Sequence, residues 1–90
     1  MKTFSIIVYS DVGHAWGKVK RSILESLDIA QHISRYSYQY KDNVYLEEDV
    51  DLAILCNIIR NQGTELKFIE KTSNKTSKIR SYERFKHNAA

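Results

Sequence analysis

Proline is absent from this 90-residue sequence, and cysteine occurs once. A single cysteine excludes an intramolecular disulfide framework and a zinc site built on several thiolates. Such cysteine usage fits a reducing cytoplasm. Cys56 lies in an apolar run, so it reads as a buried, inert thiol rather than a nucleophile. No apolar run approaches the roughly 20 residues of a membrane-spanning helix. The start, MKTFSIIVYSD, has one lysine and a short apolar run but no small-residue cleavage site, and reads as a strand rather than a signal peptide. Internal repeats and linker-like stretches are missing as well.

What is present suffices for one small core. Hydrophobic residues make up 42% of the chain and aromatic residues 11%. A chain of this length buries about 60–65% of its unfolded surface, which supports a single domain over residues 1–90. The net charge of +3 is unevenly placed. Residues 1–41 carry six Lys/Arg and three Asp/Glu, residues 42–66 carry one and six, and residues 67–90 carry seven and two. This argues against a uniformly basic glove for nucleic acid and for two surfaces of opposite sign.

The pattern along the chain is that of an α+β fold. Thr3 to Ser10 is β-branched and aromatic, with Phe4, Ile6 and Val8 on one face and Ile7 and Tyr9 on the other, as in a central strand. Ser10-Asp11-Val12-Gly13 is a turn signal, and His14-Ala15-Trp16 is either a short strand or a loop. Val19, Ile23 and Leu27 then predict an amphipathic helix over residues 18–27. Tyr36, Tyr38 and Tyr40 lead into a hairpin. A three-residue loop, Lys41-Asp42-Asn43, puts those tyrosines on the apolar face of Val44 and Leu46 and leaves Gln39, Tyr45 and Glu47 on the other. A two-residue loop would reverse the faces; the first register separates apolar from polar more cleanly. Asp49 is the expected N-cap of a second helix that Gly63 ends. Leu66 to Ile69 is a strand. Residues 70–78 read as a polar loop and residues 86–90 as a disordered tail, with Ile79, Tyr82 and Phe85 anchoring a terminal segment between them. The order predicts a small, mainly antiparallel sheet with two helices on one face, for which a ferredoxin-like arrangement is the closest standard topology.

Four short motifs carry a resemblance: Gly13-His14-Ala15-Trp16, Ile33-Ser34-x-Tyr36-Ser37-Tyr38-Gln39 after Leu27-x-Ile29-Ala30, Val44-Tyr45-Leu46-Glu47-Glu48-Asp49-x-Asp51, and Ile79-Arg80-Ser81-Tyr82. Together they resemble a family of short uncharacterised proteins of bacteriophages and other bacterial mobile elements. This chain departs from the family at Lys20, where proline is usual, and at Asp28, where glycine is usual. Aspartate can take the left-handed conformation at modest cost. The resemblance implies an accessory protein of a phage or mobile element and supplies no activity.

Three sets of residues bear on function. Asp11, His14, Glu47, Glu48, Asp49 and Asp51 are the groups from which a divalent-metal or acid/base site would be built. Their spacing matches no calcium loop, and acids in a helix's first turn already offset its dipole. The stretch Gly13-x-x-x-Gly17-Lys18 fails the phosphate-loop pattern. Even so, Lys18, Lys20, Arg21 and Ser22 at a helix start would attract anions. In the basic C-terminal segment, Lys75, Lys78, Arg80 and Arg84 with Tyr82 suit contact with nucleic acid, or else solubilise the domain. His14 and Trp16 read equally as a functional corner or as a partly buried pair.

The expectation is a small, non-enzymatic, cytoplasmic protein that needs no cofactor and binds a host protein or nucleoprotein, in the manner of anti-CRISPR or anti-restriction inhibitors. Its binding surface is placed at His14, Trp16, Gln39, Tyr45, Glu47 and Glu48, with the acidic group Glu47, Glu48, Asp49 and Asp51 standing in for phosphates. The alternatives are an RNA- or single-stranded-DNA-binding module and a metal-dependent nuclease. No membrane partner is implied.

Overall fold

The computed structural model describes residues 2–87. One six-stranded sheet contains β1 (Thr3–Ser10), β2 (Ala15–Lys20), β3 (Tyr38–Tyr40), β4 (Asn43–Glu47), β5 (Glu65–Thr72) and β6 (Glu83–Arg84). Two helices, α1 (Arg21–Ser26) and α2 (Asp51–Asn61), and two 3-10 turns, Ala30–His32 and Lys78–Ser81, complete the fold. The strand order is β5-β1-β2-β4-β3-β6. Only β1 and β5 pair in parallel; the other neighbours are antiparallel. The α+β class and the mainly antiparallel sheet are as expected. Leaving β1 aside, the run β2-α1-β3-β4-α2-β5 follows the ferredoxin-like order, and β1 is inserted between β2 and β5.

Both helices cover one face. Leu52, Leu55, Cys56 and Ile59 of α2 recur at helical spacing and are buried with Leu24 of α1 against Ile6, Val19, Val44 and Leu46 of the sheet. Phe4 and Val8 pack against the same cluster, so the alternation read in β1 holds. Cys56 is buried, and burial pushes its thiol pKa up, which leaves it an inert thiol. Gly63, at φ 78°, turns the chain out of α2. Asp28, at φ 58°, takes the left-handed position after α1 that the resemblance assigns to glycine.

Several boundaries differ from the sequence pattern. The first helix begins at Arg21 because β2 runs through Lys20, with Val19 paired to Val44. Val19 mimics helical spacing because its side of the strand meets the same core as Ile23 and Leu27. Lys18 and Lys20 therefore stand on a strand, not in a helix's first turn. The polar loop begins only after Thr72, since residues 70–72 pair with β1. Of the expected tail, Lys86 and His87 lack regular structure, and residues 88–90 lie outside the described residues.

The hairpin register is the larger correction. Tyr40 pairs with Asn43 and Tyr38 with Tyr45, so the turn is the two residues Lys41-Asp42, and Lys41 rather than Asn43 is left-handed (φ 55°). Tyr38 and Tyr40 thus share a face with Tyr45 and Glu47, and Gln39 faces the helices opposite Val44. Two features make this register favourable. Gln39 is satisfied by Arg21, Glu83 and the Lys86 amide. The tyrosine face gains a second apolar layer from residues 78–82, described below.

The start of α2 is also built differently. Val50 occupies the N-cap position and Asp49 caps nothing. Instead the Glu47 carboxylate accepts from the Asp49 and Val50 amides. Asp51, whose side chain is fully buried, accepts from the Ser34 amide and from the Ser34 and Ser37 hydroxyls. Ser37 Oγ in turn accepts from the Glu47 amide at 2.9 Å. This network ties the loop before β3 to the end of β4 and to α2.

Gly17 sets how closely α2 approaches the sheet. A Cβ there would stand 2.6 Å from Leu52 Cδ1 and 3.1 Å from Ile6 Cγ2. Gly17→Ala is expected to lower stability by about 1–3 kcal/mol through overpacking, measured by urea denaturation. Asp51→Ala should cost about 2–3 kcal/mol, because it strands buried hydroxyl and amide donors. A Ser37→Ala change on the Asp51→Ala background should then cost less than it does in the native protein, a non-additivity that a double-mutant cycle reads.

Candidate functional site

The Asp11 carboxylate organises the other face of the sheet. It accepts five hydrogen bonds: from the amides of Gly13, His14 and Ser77, and from Nε and Nη2 of Arg80. The Arg80 contacts are 2.7 and 2.9 Å, a two-pronged ion pair in which the Asp11 side chain is fully shielded. The Arg80 guanidinium and these amides hold the Asp11 carboxyl far below the usual carboxylate range. The Ser77 hydroxyl also accepts the Ile79 amide and so starts the 3-10 turn.

Through this anchor, residues 73–82 form a strap across the helix-free face. The strap leaves β5 at one edge of the sheet and returns as β6 at the other. Beneath it lies a second buried cluster: Trp16, Tyr38 and Tyr45 from three strands, capped by Ile79. Tyr9 and Tyr82 pack at its margin. Trp16 and Tyr38 meet edge to face at 6.2 Å, and the Tyr82 ring stacks on Tyr40 at 4.6 Å. Burial, and then the neighbouring tyrosines, push the Tyr45 phenol up to about 12, so its hydroxyl keeps its proton at neutral pH.

Beside the strap opens a cavity of about 510 Å3, within the usual range for ligand and anchor pockets. Trp16 and Tyr38 form its apolar wall. Arg80 lies over Trp16 at 5.4 Å and Arg84 over Tyr38 at 4.7 Å. His14 leans on Trp16 at 6.0 Å, and Glu47 and Asp49 supply carboxylates. Tyr36 and Val50 form a rim that is 68% and 59% exposed.

The cavity brings together His14, Trp16 and Glu47 from the expected binding surface with Arg80 and Arg84 from the expected nucleic-acid contacts. It does not include Gln39, Tyr45 or Glu48. Gln39 lies on the helix side, and Tyr45 lines a second cavity with Lys18, Lys78 and Tyr82. Glu48 is exposed, and its amide donates to the Ala15 carbonyl. Lys20 is exposed at the end of β2, and Lys75 is exposed in the strap. Arg21 lies over Phe85 at 4.9 Å and is bound to Gln39 and the Lys86 carbonyl. The four acids expected to mimic phosphates do not form a patch. Asp51 is buried, and Glu47 is committed to the start of α2. Among the described residues no three His, Cys, Asp or Glu side chains converge as metal ligands. Asp11 and Glu47 are taken by protein donors, and Asp51 accepts three hydrogen bonds through Oδ2 while its buried Oδ1 has no hydrogen-bond partner among the described residues.

Tyr36, Tyr38 and Val50 are cavity residues that sequence reasoning did not assign to a binding site. Val50 carried a faint signal, an apolar residue at a helix start that the core does not need. The Asp11–Arg80 pair, 69 residues apart, left no signal beyond a turn pattern at Asp11.

The depressed Asp11 pKa predicts acid sensitivity. Its stabilising effect is complete above the unfolded carboxylate value of about 3.9 and wanes as pH falls from there toward the lower folded value. Asp11→Asn should lower the melting temperature at neutral pH. The gap from wild type should narrow as pH falls from about 4 to about 2, as followed by thermal circular dichroism.

No family model, curated protein or solved structure matches this chain.

Proposed function

We propose that this protein is a non-enzymatic accessory protein that binds a host protein or nucleoprotein through the cavity between the strap and β3–β4. The observation that carries this reading is the cavity's composition. Tyrosine, tryptophan and arginine are the residues that most often anchor protein interfaces. Here two arginines stack on aromatic rings, and an exposed tyrosine and valine stand at the mouth. Arg80 is neutralised by Asp11, and Arg84 faces a cavity that also holds Glu47 and Asp49. This nearly balanced set favours a mixed polar and apolar protein surface over a bare polyanion.

The resemblance to short phage and mobile-element proteins supports a setting in the cytoplasm of a bacterial host. Modulation of host defence, as by anti-CRISPR or anti-restriction inhibitors, is the purpose that such a binder would serve. No helix of the described residues is long and apolar enough to cross a membrane. The committed carboxylates count against both an acidic phosphate mimic and a metal-dependent nuclease.

Tyr36→Ala and Arg84→Ala remove exposed cavity groups without opening either core. Affinity capture from host lysate should recover a partner with wild type, and the double variant should bind it at least about tenfold more weakly, as expected for two anchors of this type. Identical partner lists and affinities for the two proteins would show that the cavity is not the binding surface.

A further inference from the structure

Away from the cavity, the helix-free face has a different chemistry. Strand pairing places Lys67 and Lys71 of β5, Ile7 and Tyr9 of β1, and Lys18 and Lys20 of β2 on this one side. Lys41 at the β3–β4 turn and Lys78 on the strap extend the series. Lys18, Lys41 and Lys78 converge on the second cavity, of about 330 Å3, whose remaining polar lining is Asn43, Ser77 and tyrosines. Among the described residues no carboxylate lines it. Among the described residues none of these six lysines forms a salt bridge, since the three ion pairs there use Arg21, Arg80 and Lys86. Lys41 and Lys71 instead lie over the rings of Tyr40 and Tyr9, at 5.3 and 6.0 Å.

We infer that this lysine-lined face is a phosphate-binding track for single-stranded nucleic acid, with the cavity of Lys18, Lys41 and Lys78 as its deepest phosphate site. Like charges held around one cavity repel each other, and an anion bound between them turns that cost into attraction. Tyr9, Tyr40, Tyr45 and Tyr82 line the same walls. The extent of the track selects a polymer over a single phosphate group. From β5 to β3 is four strand spacings, about 19 Å. Lysines stand at the β5 edge, in the middle on β2 and at the β3–β4 turn. The aromatic lining selects a single strand over a duplex. Tyr40, 46% exposed and already stacked on Tyr82, is placed to receive an unstacked base once the Lys41 side chain moves to a phosphate. This site is separate from the arginine–aromatic cavity and does not rest on the function proposed for it.

Fluorescence anisotropy with labelled deoxythymidine and uridine strands of about 12 nucleotides tests the inference. Wild type should bind saturably at about 50 mM salt, with affinity falling steeply as salt rises. The triple variant Lys18→Ala/Lys41→Ala/Lys78→Ala should bind at least about tenfold more weakly. Its log–log salt slope should be smaller by about 2, because each phosphate neutralised on a single strand adds ~0.7 to the slope. Lys67→Ala/Lys71→Ala, on the exposed edge strand, should reduce the slope by about 1 and carries the test if the triple variant is not folded. Tyr36→Ala/Arg84→Ala should bind the strands like wild type, so failure to bind the partner and failure to bind the oligonucleotide are separable. Absence of saturable binding by wild type at low salt would overturn the inference. So would unchanged salt slopes in the lysine variants, or equal competition by a duplex or by inorganic phosphate.

Discussion

A single shielded carboxylate decides what the helix-free side of this sheet becomes. Asp11, in the β1–β2 turn, gathers three backbone amides and the guanidinium of Arg80. That anchor draws residues 73–82 across the sheet and seats Ile79 on Trp16, Tyr38 and Tyr45. Without a covering segment those rings would form a large exposed aromatic patch. With it they form a second core, and the margin of the strap leaves two cavities of different character. The same guanidinium that pairs with Asp11 also forms part of the cavity wall over Trp16. Stability of the strap and the shape of the candidate site therefore depend on one ion pair.

The charge blocks of the sequence are redistributed by folding. The acidic block of residues 42–66 looks like a surface in one dimension. In three dimensions Asp51 is buried under two serine hydroxyls, and Glu47 bonds backbone amides before α2. Glu47 satisfies amides that the chain reversal between β4 and α2 would otherwise leave unpaired, and Asp51 satisfies an amide and two hydroxyls of the loop before β3. The basic block divides as well. Arg80 is paired, Arg84 lies on a ring, and the lysines of β5 join those of β2 on the open face. The uneven charge suggests two surfaces of opposite sign, whereas folding leaves one nearly balanced cavity and one lysine-lined area. They lie on one face of the sheet, and neither corresponds to a sequence block.

Much of the architecture was legible because it rests on local periodicity. Apolar residues on both faces of Thr3–Ser10 marked a central strand, the apolar spacing of Leu52, Leu55, Cys56 and Ile59 marked α2, and Gly63 marked its end. Even the left-handed Asp28 was foreseeable. The hairpin was not, because its two registers differ only in which face of the sheet holds three tyrosines. For the hairpin, sequence alone suggested one apolar and one polar face, and on that premise the tyrosines belong with Val44 and Leu46. The strap provides a second apolar layer, so the premise fails and Tyr38 and Tyr45 meet beneath Ile79.

The sequence by itself determined the fold class, the helical core and its inert thiol, because these follow from apolar spacing over a few neighbouring residues. It also marked Gln39, Tyr45, Glu47 and Glu48, beside a His14–Trp16 corner, as residues that an ordinary hairpin and helix do not require. Only the tertiary structure decided that His14, Trp16 and Glu47 meet Arg80 and Arg84, that Glu47 also bonds the backbone before α2, and that Lys18, Lys41 and Lys78 share a cavity. Both cavities depend on a meeting of residues far apart in the chain. Such a meeting is set by where the strap crosses the sheet and by the register of one two-residue turn, and neither leaves a periodic trace.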